Sequence, residues 1–458
     1  MADIKIQLYK KTGSDFESVL LQNADWYGIP NKPTTFTPTN HEHPISEVTN
    51  LQETINLLET GGGAEITGAN EIDVIAQANI NKGDTVRVTA GTTGISVETT
   101  PTTLPASDAN GCAFNHDGTR LAVAHKGSPY ITIYDTTTTP YTKLTDPTTL
   151  PTGDGWGCAF NHNGTRLAVA HRGSPYITIY DTTATPYYTK LSNPTTLPPN
   201  STYGSYGCAF NHNGTRLAVA HEGSPYITIY DTTTTPYTKL SNPTTLPAST
   251  GCGCAFNHDG TRLAVAHSSS PYITIYDTTT TPYTKLSNPT TLPAGNGRGC
   301  AFNHNGTRLA VVHWDSPYIT IYDTTTTPYT KLSNPTTLPP SYGRGCAFNH
   351  NGTRLAVAHW SSPYITIYDT TTTPYTKLSN PTTLPAGNGY GCAFNHDGTR
   401  LAVAHEESPY ITAYGVLYGT PLAYKANNLL SGLAGRYGYA KENISLSATG
   451  KVDVLFEA

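Results

Sequence analysis

A block of about 46 residues recurs seven times between Gly111 and Tyr414, and it constrains the fold more than any other feature of this chain. Its first copy begins GCAFNHDGTRLAVAHKGSPYITIYDTTTTPYTKLTDPTTLP. The repeat cysteines Cys112, Cys158, Cys208, Cys254, Cys300, Cys346 and Cys392 are spaced by 46, 50, 46, 46, 46 and 46 residues. At a fixed period of this size, each copy is one supersecondary unit. It cannot bury its apolar faces alone and must stack on its neighbours.

Each copy divides into four strand candidates. Strand a is GCAF, closed by Asn-His-Asp-Gly or Asn-His-Asn-Gly. Those Asp-Gly and Asn-Gly steps are read as tight hairpin turns with both central residues at positive φ. Strand b is TRLAVAH, strand c is YITIYD, and strand d is YTKL running into NPTTLP. Four short antiparallel strands per period, seven times over, predict a seven-bladed β-propeller at residues 94–414. The seventh copy lacks its YTKL…TTLP piece, and a partial copy of it, Gly94 to Pro105, precedes the first repeat. This N-terminal stretch is expected to supply the outer strand of the last blade, so that no open edge remains.

The repeat resembles the WD-repeat propellers over about 310 residues. Phe-Asn-His-Asp-Gly-Thr-Arg-Leu-Ala stands where that family has Phe-Ser-Pro-Asp-Gly-x-x-Leu-Ala, and Tyr134-Asp135 through Tyr368-Asp369 stand at its Trp-Asp dipeptide. The Gly-His dipeptide before strand a is missing, so the family's buried hydrogen-bond tetrad does not carry over residue by residue.

Variation between the copies is confined to two windows. The b–c loop changes in every copy and includes Trp314-Asp315 and Trp360-Ser361. The segment just before strand a changes as well, with Trp156, Tyr203, Tyr206, Arg298, Tyr342, Arg344 and Tyr390. In an up-down-up-down blade both windows emerge on one face. Exposed Trp, Tyr and Arg are interface anchors and sugar-stacking residues. That face is therefore the candidate ligand-binding face. Neutral variation of loops is the competing reading.

The rest of the composition mostly excludes. Charged residues make up 13% and the net charge is -5, which gives no reason to expect nucleic acid as a partner. No apolar run could span a bilayer, and the N-terminus lacks the apolar core of a signal peptide. Synthesis and folding in a cytoplasm, with no membrane partner, are expected. The seven repeat cysteines are read as small buried apolar residues, with Cys252 as a loop substitution. Fourteen of the sixteen histidines belong to the repeat framework, and no nucleophile triad, phosphate loop or His-Glu-x-x-His motif appears, so no catalytic residue is assigned.

The flanks have another character. Thr49-x-x-Gln52 is a capping box, Val48, Leu51, Ile55 and Leu58 form two heptads, and Gly61-Gly62-Gly63 stops the helix. Asn31-Lys-Pro-Thr-Thr-Phe36, His41-Glu42-His43 and Ile45-Ser-Glu-Val-Thr-Asn-Leu-Gln52 resemble a segment of bacteriophage tail and head fibres. That resemblance implies a virion structural protein with an anchor docked on other virion proteins (1–40). It also implies a trimerising coiled-coil neck (41–63). Six imidazoles from His41 and His43 of a homotrimer would suit an octahedral metal, as in related fibres; a polar turn ahead of the helix is the alternative. Residues 64–93 and 415–458 resemble parts of one small β-domain of phage capsid-associated and fibre proteins, split by the propeller. The first part reads as two strands around Asn81–Asp84, the second as two around Ala448–Lys451. The whole chain is then expected to be all-β apart from the neck. As a head or tail fibre it would sit on the virion and attach to host-surface glycan or protein. A purely structural decoration protein is the alternative. A polysaccharide depolymerase is a third, disfavoured because Asp108, Asp154, Glu222, Asp315, Glu406 and Glu407 are scattered over different blades.

Overall fold

The computed structural model describes residues 93–418, apart from 184–187, 200, 201 and 203, together with strand backbone at 6–12, 15–21, 71–76, 85–89, 422–425, 436–440 and 449–457. Two compact units divide the chain: Met1–Gly94 with Leu417–Ala458, and Ile95–Val416. His41, His43 and the whole 41–63 segment lie outside the described residues, as does most of 1–40. Every regular element among the described residues is a strand.

In the first unit, Ile6–Thr12 pairs antiparallel with Asp15–Leu21. Glu71–Ala76, Leu422–Lys425, Thr85–Thr89, Arg436–Ala440 and Thr449–Glu457 close a five-stranded barrel in that order. Both flanks of the propeller contribute to it. Thr449–Lys451, expected in a turn, already belong to the last strand, and Leu422–Lys425 forms a strand where the sequence pattern predicts none. The four residues LAYK are too short for a periodicity argument.

The second unit is the ring. Blade 1 has Ala109–Phe114 as strand a, Arg120–His125 as b, Ile131–Asp135 as c and Thr142–Lys143 as d. Six sheets repeat the order a-b-c-d, and the seventh is Gly389–Phe394, Arg400–His405, Ile411–Tyr418 and Thr93–Val97. The piece missing from the last repeat is thus supplied by the strand before the first, as expected. The a–b turn differs from the expected two-residue hairpin. Only its glycine has positive φ, +70° at Gly118, and the Gly118 amide donates to the Asn115 carbonyl at 3.1 Å. Asn115 Oδ1 accepts from the Arg120 amide and Asp117 Oδ1 from the Thr119 amide, at 2.8 and 2.9 Å. These side-chain acceptors stabilise a longer loop than the dipeptide alone would need.

Each repeat buries both of its faces against neighbours. Ala122, Ala124, Ile131 and Ile133 of blade 1 pack on Leu167, Val169, Tyr180 and Tyr188 of blade 2, and the pattern recurs around the ring. Polar ties reinforce it. The strand-b histidine is fully buried and its Nε2 meets the strand-c threonine at 2.9 Å in all seven blades, as in His125–Thr132. The strand-c tyrosine donates its hydroxyl to a threonine carbonyl of the previous blade, Tyr180 to Thr149 at 2.9 Å.

The seam is held by a substitute. Blades 1 to 6 pair the strand-b arginine with the strand-c aspartate, Arg308 with Asp323 at 2.9 Å for example. Gly415 occupies that aspartate's position in blade 7, and Arg400 pairs with Glu98 of the closing segment at 3.1 Å. Glu98 also accepts from the Tyr141 hydroxyl of blade 1 at 2.5 Å. One carboxylate therefore joins the last blade, the closing strand and the first blade. Glu98→Ala is expected to lower stability by about 2 kcal/mol, the scale of a hydrogen-bonded, partly buried charge. Hydrogen exchange at Thr93–Val97 and Ile411–Tyr418 should rise with it. An unchanged melting temperature and unchanged exchange would contradict this role.

Candidate binding face

Strand a reads Gly-x-Gly-Cys-Ala-Phe in five blades, with Ala109 and Ser205 in place of the first glycine in blades 1 and 3, and the residue x sits on a β-bulge, Trp156 falling between the pairs Gly155–His171 and Gly157–Ala170. The seven bulge residues are Asn110, Trp156, Tyr206, Cys252, Arg298, Arg344 and Tyr390. Trp156, Tyr206, Arg298, Arg344 and Tyr390, expected just ahead of strand a, lie inside it. A bulge leaves one residue unpaired and re-aims its side chain. The glycine after it lets neighbouring inner strands approach: a Cβ at Gly111, Gly157 or Gly345 would lie 2.9 Å from a carbonyl oxygen of the next blade.

The inner strands enclose an axial cavity of about 170 Å³ lined by the repeat glycines and cysteines, with Cys252, Arg298 and Arg344. All eight cysteines are free. Each repeat thiol donates to an alanine carbonyl of the preceding blade at 3.6–3.9 Å. Burial pushes the thiols up, to about 12 at Cys158, Cys300 and Cys392, so they are protonated and unreactive at neutral pH. At the opposite end of strand a, the a–b turns bring the seven imidazoles His116, His162, His212, His258, His304, His350 and His396 into a closed ring, centroids 3.7–3.9 Å apart. No group of three or more His, Cys, Asp or Glu among the described residues is placed to hold a metal ion, this ring included.

The two variable windows share the other face. The b–c loop amide donates to the incoming d–a loop of its own blade: Lys126 to Asp108 at 3.0 Å, Trp314 to Asn296 at 3.1 Å, Trp360 to Tyr342 at 3.3 Å. The b–c backbone hardly changes between copies. Its tyrosine, Tyr130 in blade 1, holds φ of +66° to +69° in all seven, with its amide bonded three residues back. Left-handed tyrosine costs about 1 kcal/mol or more. Variable side chains are therefore displayed on a constant, strained template.

Three consecutive blades gather most of the candidates. Trp314 stacks on Tyr342 at 4.2 Å and 8°, Tyr342 on Trp360 at 5.5 Å, and Trp360 meets Tyr390 edge-on at 6.0 Å. The Arg298 guanidinium lies 4.8 Å over Trp314, and that of Arg344 lies 5.1–6.0 Å from Trp360, Tyr390, Tyr342 and Trp314. Trp314 is 39% exposed. Its neighbour Asp315 sits against Gly295, where an added Cβ would come within 2.1 Å of the carboxylate. Trp156 and Tyr206 form a separate pair at 5.6 Å on blades 2 and 3. Tyr203 lies outside the described residues. The rings of the larger cluster stack mainly on one another and on guanidiniums, so fewer faces are free for a sugar than expected.

Electrostatics distinguish this cluster. Burial, then the neighbouring Arg298, holds the Arg344 guanidinium below its ordinary range. Neither arginine has a carboxylate within ion-pair distance among the described residues, whereas Lys126 is paired with Asp108 at 2.8 Å. Four buried polar atoms at the bulge positions have no hydrogen-bond partner among the described residues: Asn110 Oδ1, Trp156 Nε1, Arg298 Nε and Arg344 Nε. Of the acidic residues weighed for hydrolysis, Asp108 is bound to Lys126 and Glu406 accepts from Asn388 at 2.6 Å.

No protein-family model matches the chain, and no match is found among curated proteins. Solved structures share the ring. A chain of a mitotic checkpoint complex is 16% identical over 68% of this chain and 89% of its own, with a TM-score of 0.53. The Cps50 (Swd1) β-propeller domain of Myceliophteria thermophila is 13% identical over 70% and 99%, with a TM-score of 0.52. Hydrazine synthase of Kuenenia stuttgartiensis is 16% identical over 69% and 97%, with a TM-score of 0.54. At these identities the likeness concerns fold alone. The fold class is therefore an all-β, seven-bladed propeller with WD-like structural neighbours.

Proposed function

We propose that this protein is a fibre of a bacteriophage virion, on head or tail, whose propeller attaches to the host surface through its variable face. The observation that carries the binding role is the cluster of Arg298, Trp314, Tyr342, Arg344, Trp360 and Tyr390. It is built at positions that vary within an otherwise near-identical repeat. Aromatic and arginine side chains clustered in this way are those that anchor interfaces. The virion assignment rests on the fibre-like segment Trp26–Gly63. On that reading the 41–63 neck trimerises the chain, and three propellers per fibre turn weak single contacts into avidity. Gold-labelled antibody against the propeller, imaged on intact virions, is expected to mark the head or the tail. Virions left unlabelled by an antibody that recognises the purified protein would refute the assignment.

A further inference from the structure

We propose that the axial mouth beside Arg298 and Arg344 receives the carboxylate of an acidic saccharide. This rests on the reading that the variable face binds a ligand and specifies the ligand's chemistry. The aromatic faces of the cluster are largely used within it, as the 4.2 Å Trp314–Tyr342 stack and the four rings around Arg344 show. What remains unmet is charge and donors. The two guanidiniums occupy equivalent bulges of adjacent blades, repel one another, and lack a carboxylate partner among the described residues. The Nε of each is buried without an acceptor, as is Trp156 Nε1 on the same ring of positions. Buried donors left unmet cost free energy that an incoming acceptor recovers. Planar guanidinium forks match a carboxylate.

The other equivalent positions carry no charge: Asn110, Trp156, Tyr206, Cys252 and Tyr390. The pair is therefore a local feature of blades 5 and 6, while the chain as a whole carries a net charge of -5. The variable loops of blades 5 and 6 also carry Asn296, Ser316 and Ser361, polar groups suited to hydroxyls.

The test is calorimetry on the full-length protein with an oligogalacturonate and its fully methyl-esterified form, in which each carboxylate is replaced by a neutral methyl ester. The acid is expected to bind at least about tenfold more tightly than the ester, with affinity falling as salt rises. R298Q/R344Q should lose that preference. Equal binding of acid and ester, or full acid affinity in R298Q/R344Q, overturns the proposal. If the double variant fails to fold, the acid-to-ester ratio and the salt dependence of the native protein decide. Labelling of host cells by the protein without acid binding also overturns it and leaves the attachment role standing. If neither host cells nor acid bind, the attachment role falls with it.

Discussion

Acidification to about pH 5 is expected to unfold the propeller cooperatively. Six strand-b histidines, His171, His221, His267, His313, His359 and His405, are held down to about 4 by burial, against 6.5 for an ordinary imidazole. Above pH 6.5 they are neutral folded or unfolded and impose no penalty. Between 6.5 and 4 the unfolded chain takes up protons that the native chain refuses, so stability falls as pH falls. A shift of this size is worth about 3 kcal/mol per histidine by pH 4. Six such losses exceed the roughly 5–15 kcal/mol that holds a domain together. The imidazole ring at the other end of strand a acts in the same direction. Burial, then neighbouring imidazoles, lowers His162, His212, His304, His350 and His396. The strand-c aspartates Asp231, Asp277 and Asp323 are lowered chiefly by the threonine hydroxyl two residues on; their contribution is lost only at still lower pH. Near-ultraviolet circular dichroism followed from pH 7 to pH 4 checks this, together with the proton uptake of the transition, about five or more per chain. A native spectrum at pH 4 would contradict it.

Replacing Trp314 and Trp360 together with alanine should weaken attachment to host cells by about 100-fold or more, each anchor contributing on the order of 2 kcal/mol. Both side chains project from b–c loops, outside the inter-blade clusters of alanine, isoleucine, leucine, valine and tyrosine that hold the ring. The melting temperature should therefore shift by only a few degrees. The loss has two sources. Trp314 is the exposed end of the stack, and both indoles cover Arg344. Their removal leaves that guanidinium free to turn toward solvent. Undiminished binding by a folded double variant would transfer the attachment role to another surface.

The ring was readable in the chain because its signal is repeated seven times. The four strands, their order and the closing segment before the first repeat all follow from period and turn chemistry. Identical copies also made the variable windows visible. What was not readable depends on where repetition places residues in space. The seven Asn-His turns could be counted as equivalent, but not seen to converge on the axis at 3.8 Å spacing, as His162 and His212 do. The bulge was hidden because a one-residue register shift leaves no mark in Gly-x-Gly. The self-stacking of Trp314, Tyr342 and Trp360 depends on side-chain angles that spacing does not encode. Glu98 could have been found. Gly415 in place of the repeat aspartate leaves Arg400 without its partner, and that absence is a signal in the sequence.

The most direct measurement is competition for the host. Host cells are incubated with purified protein, washed, and offered intact virions whose adsorption is then counted. Wild-type protein is expected to lower adsorption, and W314A/W360A at the same concentration to leave it unchanged. Equal inhibition by both proteins, or none by either, would contradict attachment through the variable face.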